Sequence, residues 1–134
     1  MFVHCCHCTS CQRETGSAFV INALIEADAV ETLEGAPAPV MTPSESGRGQ
    51  QIWRCPQCKV ALWSNYGGAL DLIRFVRAGT LDNAARIEPD IHIYTRSKLP
   101  WVQLPEGAVA VDAYYDSSEV WPRASLARRK AVLG

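Results

Sequence analysis

The sequence predicts a mainly β domain, with short strands in small sheets pinned by metal and one short helix at the C-terminal end. Three observations lead there. The chain has 134 residues, 48% of them hydrophobic and 20% charged, which suits one buried core and a single domain over 1–134. Its apolar stretches are of strand length, separated by loops and turns rather than continued at helical period. Its six cysteines, at 5, 6, 8, 11, 55 and 58, fall in two tight clusters. Disulfides gain stability from closing long loops, so clustered thiols point to a metal instead.

The elements follow in order. Ser17–Glu26 is an apolar run of strand length after Gly16. Residues 35–50, rich in Gly, Pro, Ser and Thr, read as a loop. Ile52 and Trp53 lead into the second cysteine cluster and Val60–Trp63 leave it, a strand, a turn and a returning strand. Leu70–Val76 is a strand closed by Gly79, and Ile91–Tyr94 alternates as a strand does. Pro100, Pro105 and Gly107 break the next stretch, and Val109–Tyr115 reads as a last short strand. Ala124–Leu133, after Pro122, is built of good helix formers, giving a helical tail over 123–134. There is no internal repeat and no linker.

Thirteen basic against fourteen acidic residues leave a net charge of −1, without the basic excess that meets phosphates, so no nucleic-acid partner is expected. No apolar run approaches the ~18–20 residues of a membrane span. Met1–His4 has no leader character, and the expected compartment is the cytoplasm.

Cys8-Thr-Ser-Cys11 and Cys55-Pro-Gln-Cys58 both have the spacing that lets two thiolates reach one tetrahedral ion. Cys6 adds a third sulfur to the first pair. In an extended segment Cys6 and Cys8 share a side, and His7 points away. Zinc is the first expectation for such donors and iron–sulfur the second. Two arrangements fit. Either Cys8, Cys11, Cys55 and Cys58 close around one structural zinc, or Cys6, Cys8 and Cys11 hold an ion whose fourth position stays open, as catalytic zinc does. Three thiolates make zinc a weak Lewis acid, poorly suited to generating hydroxide but suited to binding a further thiol and delivering its thiolate. Attack on a small aldehyde then needs proximity and a proton donor.

The block from Cys6 to Phe19, Cys-His-Cys-Thr-Ser-Cys-Gln-Arg-Glu-Thr-Gly-Ser-Ala-Phe, resembles the signature of the GFA family, the glutathione-dependent formaldehyde-activating enzymes. Trp53–Cys58, Gly79–Asn83 and Ile91–Trp101 match in the same order, so the resemblance spans roughly residues 4–105. It implies a zinc-pinned, mostly antiparallel β domain of the β-tent type. It also implies a carbon–sulfur lyase activity that joins formaldehyde to glutathione as S-hydroxymethylglutathione. In the family pattern one zinc takes Cys6, Cys8 and Cys11. A structural zinc takes Cys55 and Cys58 together with an N-terminal Cys-x-Cys strand that this sequence lacks. The shortfall leaves three readings: a chain shortened at its N-terminus, recruitment of Cys8 and Cys11 by the second pair, or an unfilled structural site. Glutathione carries two carboxylates, for which Arg13, Gln12, Thr15 and the backbone around Gly16 offer a cradle. His92, facing opposite to Ile91 and Ile93, is a candidate proton donor. His7 and Cys5 are alternative ligands, and His4 has no assigned role. The contrasting reading is a non-catalytic zinc β domain that binds a partner or carries glutathione.

Overall fold

A computed structural model describes residues 1–69 and 71–134. Seven strands form one sheet: β1 (Phe2–Cys6), β2 (Val20–Glu26), β3 (Ala38–Thr42), β4 (Gln50–Arg54), β5 (Ala61–Tyr66), β6 (Ile73–Arg77) and β7 (Ile91–Ile93). Their order is β3-β4-β5-β6-β2-β1-β7. Every pair is antiparallel except β1 with β7, which run parallel. The chain is mainly β, as its sequence predicts, with the strands joined in one sheet rather than several small ones. Three helices accompany them: α1 (Thr9–Thr15), α2 (Ser117–Val120) and α3 (Arg123–Leu133).

The departures from expectation have local causes. Ala38–Thr42 lies in the segment expected to be a loop, yet pairs along its length with β4. Pro39 cannot donate a ladder hydrogen bond, and β3 is the sheet edge, where that is tolerated. The strand expected from Ser17 begins only at Val20, because Gly16 ends α1 in the left-handed region (φ 67°) and the next residues turn the chain. Leu70, in the expected Leu70–Val76 strand, lies outside the described residues; the strand itself is Ile73–Arg77. Val109–Tyr115 makes one isolated bridge, Ala110 beside His92, rather than a strand. Helix α1 was not expected: its N-cap is Cys8, a residue type outside the usual capping set.

Register sorts the side chains. Cys6 lies opposite Val20 and His4 opposite Asn22, and on the other side of β1 these two residues lie opposite Ile93 and Ile91. Partners share a face, so Phe2, His4, Cys6, Leu24, Ile73 and Ile91 point one way into a common core. Cys5 and His92, also partners, point the other way. On that opposite face Trp53 stacks on Trp63 at 5.6 Å, and the Arg74 guanidinium sits 4.2 Å over the Trp63 ring.

Two polar joints hold the outlying elements to this sheet. Glu14 of α1 accepts from Arg54 of β4 and from Arg77 of β6, both at 2.8 Å. Arg77 also reaches Asn22 of β2 at 3.2 Å. At the other end the His4 ring lies 2.5 Å from the Tyr115 hydroxyl, which accepts from the Trp121 indole at 2.7 Å. Trp121 in turn stacks on Phe2 at 5.1 Å. Helix α3 is tethered by a bidentate Arg128–Glu26 pair and by Ser125 donating to the Met1 carbonyl.

Glu14→Gln leaves Arg77, 8% exposed at its side chain, without its carboxylate. A loss of roughly 3 kcal/mol is expected in urea unfolding, in the range for breaking a buried ion pair from one side. Burial holds His4 down to about 4 from its usual 6.5, so folding favours the neutral ring. Its contribution is complete above pH 6.5 and is lost as pH falls toward 4, by roughly 3 kcal/mol at 1.36 kcal/mol per unit. The stability difference between wild type and His4→Gln, measured from pH 7.5 to 4.5, should therefore shrink as pH falls.

Candidate metal centre and cleft

Cys6 closes β1, Cys8 caps α1 and Cys11 lies in its first turn. The cap places the Cys8 sulfur 3.2 Å from the Cys11 backbone N–H, which donates to it. The strand-to-helix junction thus gathers three sulfurs, all within 4.8 Å of one another and all buried. Hydrogen bonds from the Cys11 and Cys6 thiols and from the Cys11 and Ser10 N–H groups hold Cys8 down to about 3. Cys11 is pushed far up by its bonds to Cys6 and Cys8 and by burial. Cys6 is lowered by its bond to Cys11, but donation to Cys8 and burial carry it up to about 12. Three buried sulfurs this close cannot all ionise without a compensating cation. A soft dication would let all three ionise, so the donor set fits zinc. No fourth metal-binding side chain joins the trio among the described residues.

The trio forms part of the floor of a cleft of about 760 Å³. Tyr66, Phe75, Tyr94, Tyr114 and Tyr115 supply an aromatic wall, and Arg48 and Arg129 lie among its lining residues. Tyr94 follows β7 with φ 54° and ψ 41°, a left-handed conformation that costs energy in a non-glycine residue and is concentrated at functional sites. Burial, with the nearby Cys6 and Cys8, raises its phenol above the usual range. Burial, with Cys11, does the same to Tyr66.

The other expected residues are placed as follows. His92 does not reach the trio: its register with Cys5 puts it on the opposite face, 2.9 Å from His7. Gln12 donates to the carbonyls of His7 and Ser97, both at 2.9 Å, so its amide hydrogens are already used. Thr15 donates to the Cys11 carbonyl, and Gly16 is the C-cap. Arg13 is exposed and, with Gln12, Gly16 and Trp101, lines a separate depression rather than the cleft. The expected cradle is therefore not assembled around the trio. Cys55 and Cys58 occupy a turn whose Lys59 has φ 63°. N–H groups of Cys58 and Gln57 lower the Cys55 thiol. Among the described residues no third metal-binding side chain joins this pair, so a closed site made from Cys8, Cys11, Cys55 and Cys58 is not formed.

Sequence reading missed His4, Tyr66, Tyr94, Arg48 and Arg129. His4 was accessible, since it stands two residues before Cys6 on one strand. The others reach the cleft through long-range contacts or through a backbone angle that no pattern announces.

Residues 1–97 match the family model described as glutathione-dependent formaldehyde-activating enzyme. No curated protein matches the chain. The match covers the sulfur trio, the second pair and β7, and stops short of the C-terminal segment that walls the cleft. On that match the chain belongs to the GFA family.

Proposed function

We propose that this protein is a zinc-dependent carbon–sulfur lyase of the S-(hydroxymethyl)glutathione synthase type, adding a thiol, glutathione in the first instance, to formaldehyde or another small aldehyde. The observation that carries it is a buried sulfur trio, with no fourth side-chain donor among the described residues, beside a cleft large enough for a tripeptide. Cys6, Cys8 and Cys11 would hold the zinc, which when bound lowers the pKa of a guest thiol and presents it as the thiolate.

The chain's own groups supply the rest. Arg48 and Arg129 offer guanidiniums to the two carboxylates of the tripeptide, the role first expected of Arg13. The aromatic wall excludes water around the reacting carbon, which strengthens every charge interaction made there. As the thiolate attacks the aldehyde carbon, the carbonyl π pair moves to oxygen and the alkoxide takes a proton from a neighbouring donor, which is reprotonated from solvent by the equivalent of the proton the thiol gave up. Tyr94 is the donor in this reading: it lines the cleft, and its raised phenol is protonated throughout the neutral range. His92, on the other face, has no part in the step.

Adduct formation is read by NMR exchange between free glutathione, formaldehyde and product, with zinc counted in the same sample. The zinc-loaded wild type should exceed the uncatalysed rate. Cys6→Ser should lose one zinc, keep its far-ultraviolet circular dichroism and fall to background. A wild type that binds glutathione without accelerating the exchange would sink the lyase reading in favour of a carrier. Tyr94→Phe should lower the rate at saturating thiol by roughly 100-fold, the lower end for a positioned acid, with zinc content unchanged.

A further inference from the structure

The face of β1 turned away from the cleft carries a second cluster that the proposed reaction does not use. Cys5, His7 and His92 bring one sulfur and two nitrogens within 4.8 Å of one another. They are 1%, 0% and 8% exposed. The Cys5 sulfur lies 3.6 Å from His7 Nε2, which lies 2.9 Å from His92 Nδ1. We propose that these three residues form a binding site for one Cu(I) ion.

Geometry and charge both bear on the choice of metal. With bonds of about 2.0 Å to nitrogen and 2.3 Å to sulfur, a trigonal ion sets S···N near 3.7 Å and N···N near 3.5 Å. The sulfur–nitrogen separation already has that value, and the two rings need to part by about half an ångström. They are nearly parallel, at 29°, and because the His92 backbone is held by β1 on one side and by Val109 and Val111 on the other, the parting falls to small side-chain rotations of the two rings. The donor count is three, with no fourth among the described residues, and all three are buried, so a trigonal ion is complete here without the solvent or guest ligand that zinc would still need.

One thiolate and two neutral imidazoles around Zn²⁺ would bury a net positive charge. Around Cu⁺ the same ligands sum to zero. No carboxylate belongs to the cluster, and the charge acting on His7 from outside it is the cation of Lys98. A buried uncompensated charge is disfavoured, so the surroundings select the monovalent ion. A thiolate–imidazole set suits copper. Binding displaces the Cys5 thiol proton to solvent and changes no oxidation state.

His7 Nδ1 is buried without a hydrogen-bond partner, and a metal on Nε2 places the proton there. The Phe19 ring lies 5.4 Å from the His7 ring, tilted by 59°. The site would fasten β7 to β1 through the residue next to Cys6, giving the edge strand a metal staple.

Purified full-length protein is titrated anaerobically with Cu(I) in acetonitrile, and metals per chain are counted by native mass spectrometry. The sulfur trio also takes Cu(I), so the readout is a difference: wild type should hold one copper more than Cys5→Ser and one more than His92→Phe. Should Cys5→Ser not fold, His92→Phe alone decides. Equal copper counts in wild type and His92→Phe overturn the proposal. The same one-metal difference with zinc in place of Cu(I) overturns the assignment to copper. Neither result depends on whether the cleft is catalytic.

Discussion

The position of β1 between β2 and β7 is the constraint on which the rest of the molecule depends. Alternation along five extended residues sends Cys6 into the cleft and Cys5 to the opposite face. A one-residue slip against either neighbour would exchange the two faces and dismantle the sulfur trio. That register is held by apolar pairs on the core side, Phe2 opposite Leu24 and Cys6 opposite Val20. The sulfurs are thus placed by the same burial that stabilises the sheet.

The C-terminal segment has a different standing. It follows the part of the chain that matches the family and supplies Tyr114, Tyr115, Trp121 and Arg129 to the cleft. It joins the sheet partly by Trp121 packing on Phe2 and partly by polar contacts. Helix α3 itself buries no residue completely. The family region therefore holds the sulfur trio, and a segment outside it walls part of the cleft.

What could be read from the sequence was what short-range spacing encodes. The sulfur trio, the hairpin around Cys55 and Cys58, the Ile91–Ile93 strand and the terminal helix all follow from alternation, turn residues or helix formers within a few positions. Strand β3 could not be read that way, because Pro39 argues for a loop unless the segment is known to be an edge. The expected anion cradle failed for a related reason: Arg13 is adjacent to the trio in sequence but faces another depression, whereas Arg129 is far in sequence and lines the cleft. His92 shows the limit of alternation, which gives its face relative to Ile91 but not which face holds the metal donors. The Glu14 joint, tying one helix to two separated strands, had no local signature.

The sulfur of Cys8 is a prospective ion donor and also the group that accepts the N–H of Cys11 at the start of α1. Coordination and helix initiation therefore share one atom. Inserting a residue between Cys8 and Cys11 would leave the cap an N–H from the residue then third in line, but would turn the third sulfur by about 100° around the helix axis, away from the other two. The two-residue gap is consequently a mechanical specification as much as a chemical one: it fixes where around the first turn the third sulfur stands.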